Sequence, residues 1–160
     1  MTAPPQPPPP APPPATLGPA GIAARVPHAG RMCLLDSLLD WSPEHVHCSA
    51  SSHGAADHPL RTAGGLLAPT AIEYASQAMA LHGSLCALPG QAPRAGFLAS
   101  ARGVQLHVPR LDTAAGPLHV HAQRLLGDGQ QAMYRFSVAD AQGRLLVEGR
   151  ATVVLDGTPG

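Results

Sequence analysis

The sequence predicts an α+β fold in which one long central helix is wrapped by a curved antiparallel sheet. Three observations support this class: an apolar helical stretch at 64–86, two strand patterns before it, and four strand patterns after it, joined largely by short turns. A helix that is apolar on most sides needs a sheet to cover it. The open edges of that sheet predict dimerisation edge to edge.

The first twenty residues lie outside the predicted fold. They contain ten of the chain's 19 prolines, a composition typical of an extended polyproline segment. We therefore expect a disordered proline-rich tail at 1–20, one domain at 21–156 and a flexible C-terminus at 157–160. The tail lacks the pattern of a secretory signal, and no later segment stays apolar for about 18 residues. These features predict no membrane span and a cytoplasmic location.

Composition excludes two further classes of function. The formal net charge is zero, so no overall field favours nucleic acid. The three cysteines, Cys33, Cys48 and Cys86, are widely spaced and form no CxxC motif. They are typical of small buried hydrophobic residues in a reducing compartment rather than of disulfides or a zinc site.

Two strands are predicted before the helix. The apolar run at 32–39 predicts the first, and the segment 41–43 predicts a turn. The weak alternation at 44–51 predicts the second strand. After the helix, strand patterns occupy 95–110, 117–126, 133–139 and 145–155.

The helix carries two polar residues on one face. Pro69 suits its first turn, Glu73 follows one turn later, and Gln77 lies four residues beyond Glu73. Gly83, or the segment 88–90, is expected to end the helix. Glu73 has two interpretations: compensation of the helix dipole on a solvated face, or a carboxyl group held among apolar neighbours for acid–base chemistry. The spacing alone leaves both open.

The loop at 51–65 precedes the helix and is long and rich in small residues. Loops of this length in compact domains often carry function, so His53 and His58 are candidate site residues. An exposed loop histidine without a role is the alternative. Two His-X-His pairs, at 45–47 and 119–121, lack a cysteine or carboxylate partner at ligand spacing, and no metal site is predicted.

Three segments carry a resemblance: VPHAGRMCLLDSLLDW, HPLRTAGGLLAPTAIEYASQAMALHG and AGFLASARGVQLHVPRLDTAAGPLHVHAQRLL. In this order they resemble the hot-dog-fold 3-hydroxyacyl-ACP dehydratases of bacterial fatty acid synthesis, and most closely the divergent members found in aryl polyene lipid gene clusters. The resemblance covers residues 22–155. It implies a hot-dog fold and conversion of 3-hydroxyacyl-ACP to a trans-2-enoyl thioester without a cofactor.

The resemblance also implies a site. Its catalytic residues would be His58 and Glu73, contributed to each site by opposite subunits of a dimer. Leu67 and Ala68 would hold the thioester carbonyl through their backbone N–H groups. Gln77 is also expected to bind the substrate. The partners implied are an acyl carrier protein bearing a phosphopantetheine-linked chain, and a second subunit that is a copy of this chain or a related hot-dog protein.

The chain departs from the family pattern at three points. The Pro-Gly expected just before the helix is replaced by Leu67-Ala68 and then Pro69, and the spacing from His58 to Glu73 is 15 residues, one longer than usual. The third departure is in the motif that contains His58. The usual His-Phe-Pro-Gly is replaced by His58-Pro59-Leu60-Arg61, so His53 is kept as an alternative base. Two other functions stay open: a hot-dog acyl thioesterase, and a non-catalytic subunit of a heteromeric dehydratase. Four arginines are either candidate contacts for an acidic carrier or ordinary solvated surface residues: Arg61, Arg94, Arg102 and Arg110.

Overall fold

One antiparallel sheet and one long helix dominate the structure, a computed structural model that describes residues 15–87 and 96–155. The strands are β1 (Ser37–Ser42), β2 (His45–Ala50), β3 (Gly96–Leu106), β4 (Leu118–Gly127), β5 (Gln131–Ala139) and β6 (Leu145–Leu155). Their order in the sheet is β1-β2-β4-β5-β6-β3, antiparallel throughout. This arrangement confirms the predicted α+β class.

The central helix, α2, spans Ala71–Cys86 and follows a single 3₁₀ turn at Ala68–Thr70. Its buried side, which includes Tyr74, Ala78 and Leu81, packs on β2, β4 and β5. Because a helix repeats every 3.6 residues, the half-buried positions 72, 73, 76 and 80 lie on the side away from the sheet. The helix does not end at Gly83, because it continues to Cys86. The alternative predicted end at 88–90 lies outside the described residues.

The first strand begins later than predicted. Met32 belongs to a 3₁₀ turn at Gly30–Met32, and β1 runs through Ser42, past the expected turn at Trp41. The backbone N–H of Leu34 bonds the Gln77 side chain rather than a neighbouring strand, which keeps this apolar run out of the sheet. The apolar character of 32–35 therefore reflects contact with α2 and not strand pairing.

A short helix, α1 (Pro19–Ala23), precedes this region. Leu17, which falls within the predicted tail, exchanges backbone hydrogen bonds with Leu38. The rest of the predicted tail up to residue 14, the predicted C-terminus and Arg94 lie outside the described residues. Within residues 15–87 and 96–155, no helix is long and apolar enough to cross a membrane.

Strand β3 lies at one end of the sheet, and β6 is its only neighbour among the described strands. It also exposes large apolar side chains: Phe97 is 61% exposed, Leu98 39% and Leu106 48%. An unpaired edge with exposed apolar groups is the kind of surface that pairs with another chain. This feature supports the predicted edge-to-edge dimer.

Candidate active site

The loop before α2 is fixed to the segment that follows β3. Leu111 N–H donates to Leu66 O at 2.8 Å, and Ala68 N–H donates to Pro109 O at 3.0 Å. The Asp112 carboxylate accepts a further hydrogen bond from Leu66 N–H at 3.2 Å. These three contacts set where α2 begins and which way its first turn points.

The two backbone donors predicted for the thioester carbonyl differ in availability. The Ala68 N–H donates to Pro109 O in this chain, and its role in holding the thioester carbonyl stays a prediction. No hydrogen bond among the described residues uses the Leu67 N–H. The Leu67 side chain is 43% exposed. Of the predicted pair, Leu67 is therefore the donor that is unengaged in the described structure.

Two of the arginines considered for an acidic carrier are engaged by Asp112. Arg110 donates to it from Nε at 3.0 Å and from Nη2 at 2.6 Å, and Arg61 Nη2 lies 3.3 Å away. The hydrogen bond from Arg110 is the main reason that the pKa of Asp112 falls to about 2. These arginines hold the start of α2 in place, whereas Arg102 is exposed on β3.

The Glu73 carboxyl group stands on the half-buried side of α2, with its side chain 31% exposed. Its Oε1 atom lies 3.2 Å from Gln77 Nε2 and 2.9 Å from His28 Nε2. Among the described residues, no hydrogen bond reaches Oε2. One oxygen of the carboxyl group is thus held, and the other has no hydrogen-bond partner in the described part of the chain.

Gln77 is buried, 1% exposed, and its side chain is used entirely within the chain. Its Oε1 accepts from Leu34 N–H at 2.9 Å, and its Nε2 donates to Met32 O at 2.6 Å and to Glu73 Oε1. These bonds use both amide hydrogens. Gln77 orients Glu73 and fastens the segment before β1, and the substrate-binding role implied for it stays a prediction.

His58 is buried, 5% exposed, and forms part of a directed hydrogen-bond chain. Ser52 Oγ donates to Leu34 O, so Tyr74 Oη donates to Ser52 Oγ at 2.7 Å. The Tyr74 oxygen then accepts from His58 Nε2–H at 3.1 Å, while His58 Nδ1 accepts from the Leu60 backbone N–H at 3.0 Å. The network assigns His58 the neutral tautomer with its proton on Nε2.

Burial is the main cause that lowers the pKa of His58, and the neighbouring charges of His53, Arg31 and Arg61 add to it. A neutral imidazole is the form that a general base requires. Within one chain, however, no hydrogen bond joins His58 to Glu73 in the described part, and both ring nitrogens of His58 are engaged. The structure brings Glu73 together with Gln77 and His28 and leaves His58 on a separate network.

The alternative base, His53, is also buried, 3% exposed. Its Nε2 donates to Ala114 O at 3.0 Å. Its Nδ1 is buried without a hydrogen-bond partner in the described structure, as is His28 Nδ1. In the neutral rings with the hydrogen on Nε2, each of these two nitrogens carries a lone pair that accepts no hydrogen bond in the described structure.

A cavity of about 460 Å³ lies beside the second half of α2, and Glu73 is not among its lining residues. Its lining includes Pro27, next to His28, and Ala80, which lies two turns beyond Glu73 on the same side of α2. Apolar side chains form most of the remaining wall, with Arg124 and Asp128 among the polar exceptions. A larger groove, about 890 Å³, lies on the opposite face of the sheet, far from the helix.

The two His-X-His pairs meet on that outer face. His47 Nε2 and His119 Nδ1 lie 2.8 Å apart, and the His47 and His121 rings stack with centroids 3.9 Å apart. Burial first, and then the charges of His121 and His119, lower the pKa of His47 to about 4. No group of three His, Cys, Asp or Glu side chains within 15–87 and 96–155 has metal-binding geometry.

Sequence reasoning missed two residues of this region. Tyr74 belongs to the predicted apolar helix and was given no separate role. A buried tyrosine hydroxyl usually has a hydrogen-bond partner, so a polar group next to Tyr74 could have been expected. His28 lies before the first predicted strand, and the sequence predicts no role for it. Its contact with Glu73 depends on the tertiary fold, and no local pattern signals it.

A family model described as ApeP-like, ApeP dehydratase, matches residues 20–157. Among solved structures, the chain is 26% identical to the dehydratase heterocomplex ApeI:P from Xenorhabdus doucetiae, with 86% of this chain and 91% of that chain covered and a TM-score of 0.76. The PaaI protein of the E. coli phenylacetic acid degradation operon is 11% identical over 84% of this chain and 88% of its own, with a TM-score of 0.58. No curated protein matches the chain.

A thioesterase from Haemophilus influenzae is 14% identical, with 74% of this chain and 76% of that chain covered and a TM-score of 0.55. At this identity, as for PaaI, the likeness concerns the fold alone. Together with the heterocomplex, these structures confirm the hot-dog fold implied by the sequence resemblance.

Proposed function

The chain belongs to the ApeP-like dehydratase family, and we propose that it removes water from 3-hydroxyacyl thioesters on an acyl carrier protein to give trans-2-enoyl thioesters. The observation that carries this proposal is the Glu73 carboxyl group, fixed through Oε1 and without a hydrogen-bond partner at Oε2 in the described part of the chain. The acyl chains would be those of fatty acid or aryl polyene type lipid synthesis in the cytoplasm.

The reaction needs one acid and one base. A base takes a proton from C2, the C2–H electrons form the C2–C3 double bond, and the C3–O bond breaks. The leaving hydroxyl takes the Glu73 proton and departs as water, and the proton held by the base returns to Glu73 through solvent. Each positioned acid or base contributes about 10² to 10⁴ in rate.

Glu73 is the proposed acid and His58 the proposed base, the latter acting in the site of a second subunit. Neutral His58 has the required protonation state, since burial disfavours its charged form. Its Nδ1 lone pair accepts from Leu60 N–H in the single chain, so the base would exchange that hydrogen bond for the C2 proton. The thioester oxygen would accept from Leu67 N–H near the start of α2.

The cavity of about 460 Å³ is the proposed place of the acyl chain. Ala80 and Pro27 in its lining continue from Glu73 and His28, so a thioester at Glu73 would lead its chain into an apolar space. The carrier protein is acidic, and the exposed Arg102 is the proposed contact for it.

A second candidate is a heteromeric dehydratase in which this chain contributes Glu73 and a related hot-dog subunit contributes the base. The engagement of both His58 nitrogens favours it, because neither carries a free lone pair in the single chain. The relative from Xenorhabdus doucetiae is a dehydratase heterocomplex. The exposed apolar edge of β3 offers either kind of subunit a place to pair.

Mass spectrometry of the carrier-bound acyl chain tests the proposal. The purified full-length chain is incubated with 3-hydroxyoctanoyl carrier protein, alone and with any hot-dog subunit that copurifies with it. Loss of one water from the carrier-bound chain supports a dehydratase. Release of free hydroxyacid would indicate a thioesterase instead, and activity only with the second subunit would favour the heteromer.

A further inference from the structure

The carboxyl oxygen that Gln77 holds has a second donor, the His28 imidazole. His28 Nε2 lies 2.9 Å from Glu73 Oε1, and Gln77 Nε2 lies 3.2 Å from the same atom. Two N–H donors on one carboxyl oxygen leave the other oxygen as the place for an acid proton. A protonated Glu73 therefore carries its proton on Oε2, the atom without a hydrogen-bond partner among the described residues.

The tautomer of His28 follows from its other nitrogen. Nδ1 is buried and has no hydrogen-bond partner among the described residues. A hydrogen on Nδ1 would be a buried donor without an acceptor, which is unfavourable. In a neutral His28 the network thus places the hydrogen on Nε2, directed at Glu73.

The turn that carries His28 is itself held in place. Cys33 Sγ donates to His28 O at 3.2 Å, and Gly30 adopts a φ of 59°, which favours glycine. Gln77 then fastens Met32 and Leu34 to α2. Because the same glutamine also touches Glu73, the helix and the turn meet at one carboxyl group.

The contact differs from an ordinary surface ion pair. His45 Nε2 lies 2.8 Å from Asp40 Oδ2, but those side chains are 42% and 68% exposed. The corresponding values for His28 and Glu73 are 21% and 31%. His45 and Asp40 thus provide a matched control: an imidazole and a carboxylate at a similar distance, on a more exposed part of the surface.

We propose that His28 is a positioning residue for Glu73: it donates from Nε2 to Oε1 and so directs Oε2, with the acid proton, at the C3 hydroxyl. This inference rests on the proposed dehydration. The misplacement of a reacting group by about 1 Å commonly costs about 10²-fold in rate, so loss of His28 lowers kcat more than it changes KM.

The test compares full-length His28→Ala and His28→Gln with wild type and with the control His45→Ala, on 3-hydroxyoctanoyl carrier protein. We expect His28→Ala to lower kcat by about 10- to 100-fold, with KM nearly unchanged. His28→Gln keeps an N–H donor at similar reach and restores most of the rate. In a Glu73→Gln background, His28→Ala has no further effect, because the group that it positions is no longer an acid.

Three results would overturn the inference: equal loss in His28→Ala and His45→Ala, no rescue by His28→Gln, or multiplicative losses in the double variant. If wild type removes no water either alone or with a copurifying hot-dog subunit, the proposed function fails. The imidazole ¹⁵N spectrum then tests the contact directly. An Nε2–H tautomer of His28 whose signal shifts in Glu73→Ala upholds it, and a signal unaffected by that change refutes it.

Discussion

Gln77 Nε2 lies 3.2 Å from Glu73 Oε1, one turn along the same helix, while the rest of the Gln77 amide bonds the backbone of the segment before β1. One buried side chain therefore both orients the proposed acid and attaches the turn that contains His28. The chemistry of the site and the packing around it depend on the same group.

We expect Gln77→Leu to lower the free energy of unfolding by about 1–3 kcal/mol, since Leu34 N–H and Met32 O lose their partners inside the protein. Chemical denaturation measures this change. Gln123→Leu is the control, because Gln123 is exposed on β4. Equal stability of the two variants would contradict the role assigned to Gln77.

The base is tested with His58→Asn, which keeps an acceptor for Leu60 N–H but cannot take a proton from C2. We expect dehydration to fall by about 10²- to 10⁴-fold. His107→Asn is the control, because that histidine is exposed and outside the site. A rate close to wild type would remove His58 as the base and favour the heteromer, and His53→Asn would then be tested in the same assay.

Association through β3 is tested with Phe97→Asp, which places a charge on a side chain that is 61% exposed at the sheet edge. We expect a shift toward monomer in size-exclusion chromatography with light scattering, because burying an unpaired charge opposes association. Leu126→Asp, at a side chain 68% exposed on β4, should leave the oligomer unchanged. The edge-to-edge interface would be wrong if both variants stayed associated.

We expect the histidine cluster on the outer face, formed by His47, His119 and His121, to make the fold less stable in acid. The pKa of His47 is about 4 in the fold and near 6.5 in an unfolded chain, so the unfolded state binds more protons between these values. Its contribution is present above pH 6.5 and is lost as the pH falls toward 4. After allowance for solvent screening we expect about 1–2 kcal/mol.

Urea denaturation at pH 7 and pH 5 measures this loss. His47→Gln should flatten the pH dependence, whereas His107→Gln, which lies outside the cluster, should retain it. An unchanged slope in His47→Gln would show that the cluster does not titrate on unfolding.

Much of the fold was predictable because the strands after the helix have local signals. In β5, Tyr134, Phe136 and Val138 alternate with polar residues, and the same period marks β4 and β6. The first strand was misplaced because Leu34 and Leu35 are apolar for a different reason: they pack near α2, and the Leu34 amide bonds Gln77. A contact between distant segments leaves no periodic pattern.

The candidate site was predictable only in part, for the same reason. Glu73 and Gln77 lie four residues apart on one helix, so their proximity follows from helical geometry. The contacts of His28 with Glu73 and of His58 with Tyr74 form only when separate segments fold together. The commitment of Ala68 N–H to Pro109 likewise depends on a loop that the sequence does not place.

The central claim is that Glu73 supplies the acid. The most direct measurement is the rate of water loss from 3-hydroxyoctanoyl carrier protein by wild type, Glu73→Gln and the exposed control Glu44→Gln, with thermal unfolding recorded for each. We predict that Glu73→Gln unfolds like wild type but loses about 10²- to 10⁴-fold in rate, while Glu44→Gln keeps its activity. A Glu73→Gln rate close to that of wild type would contradict the account.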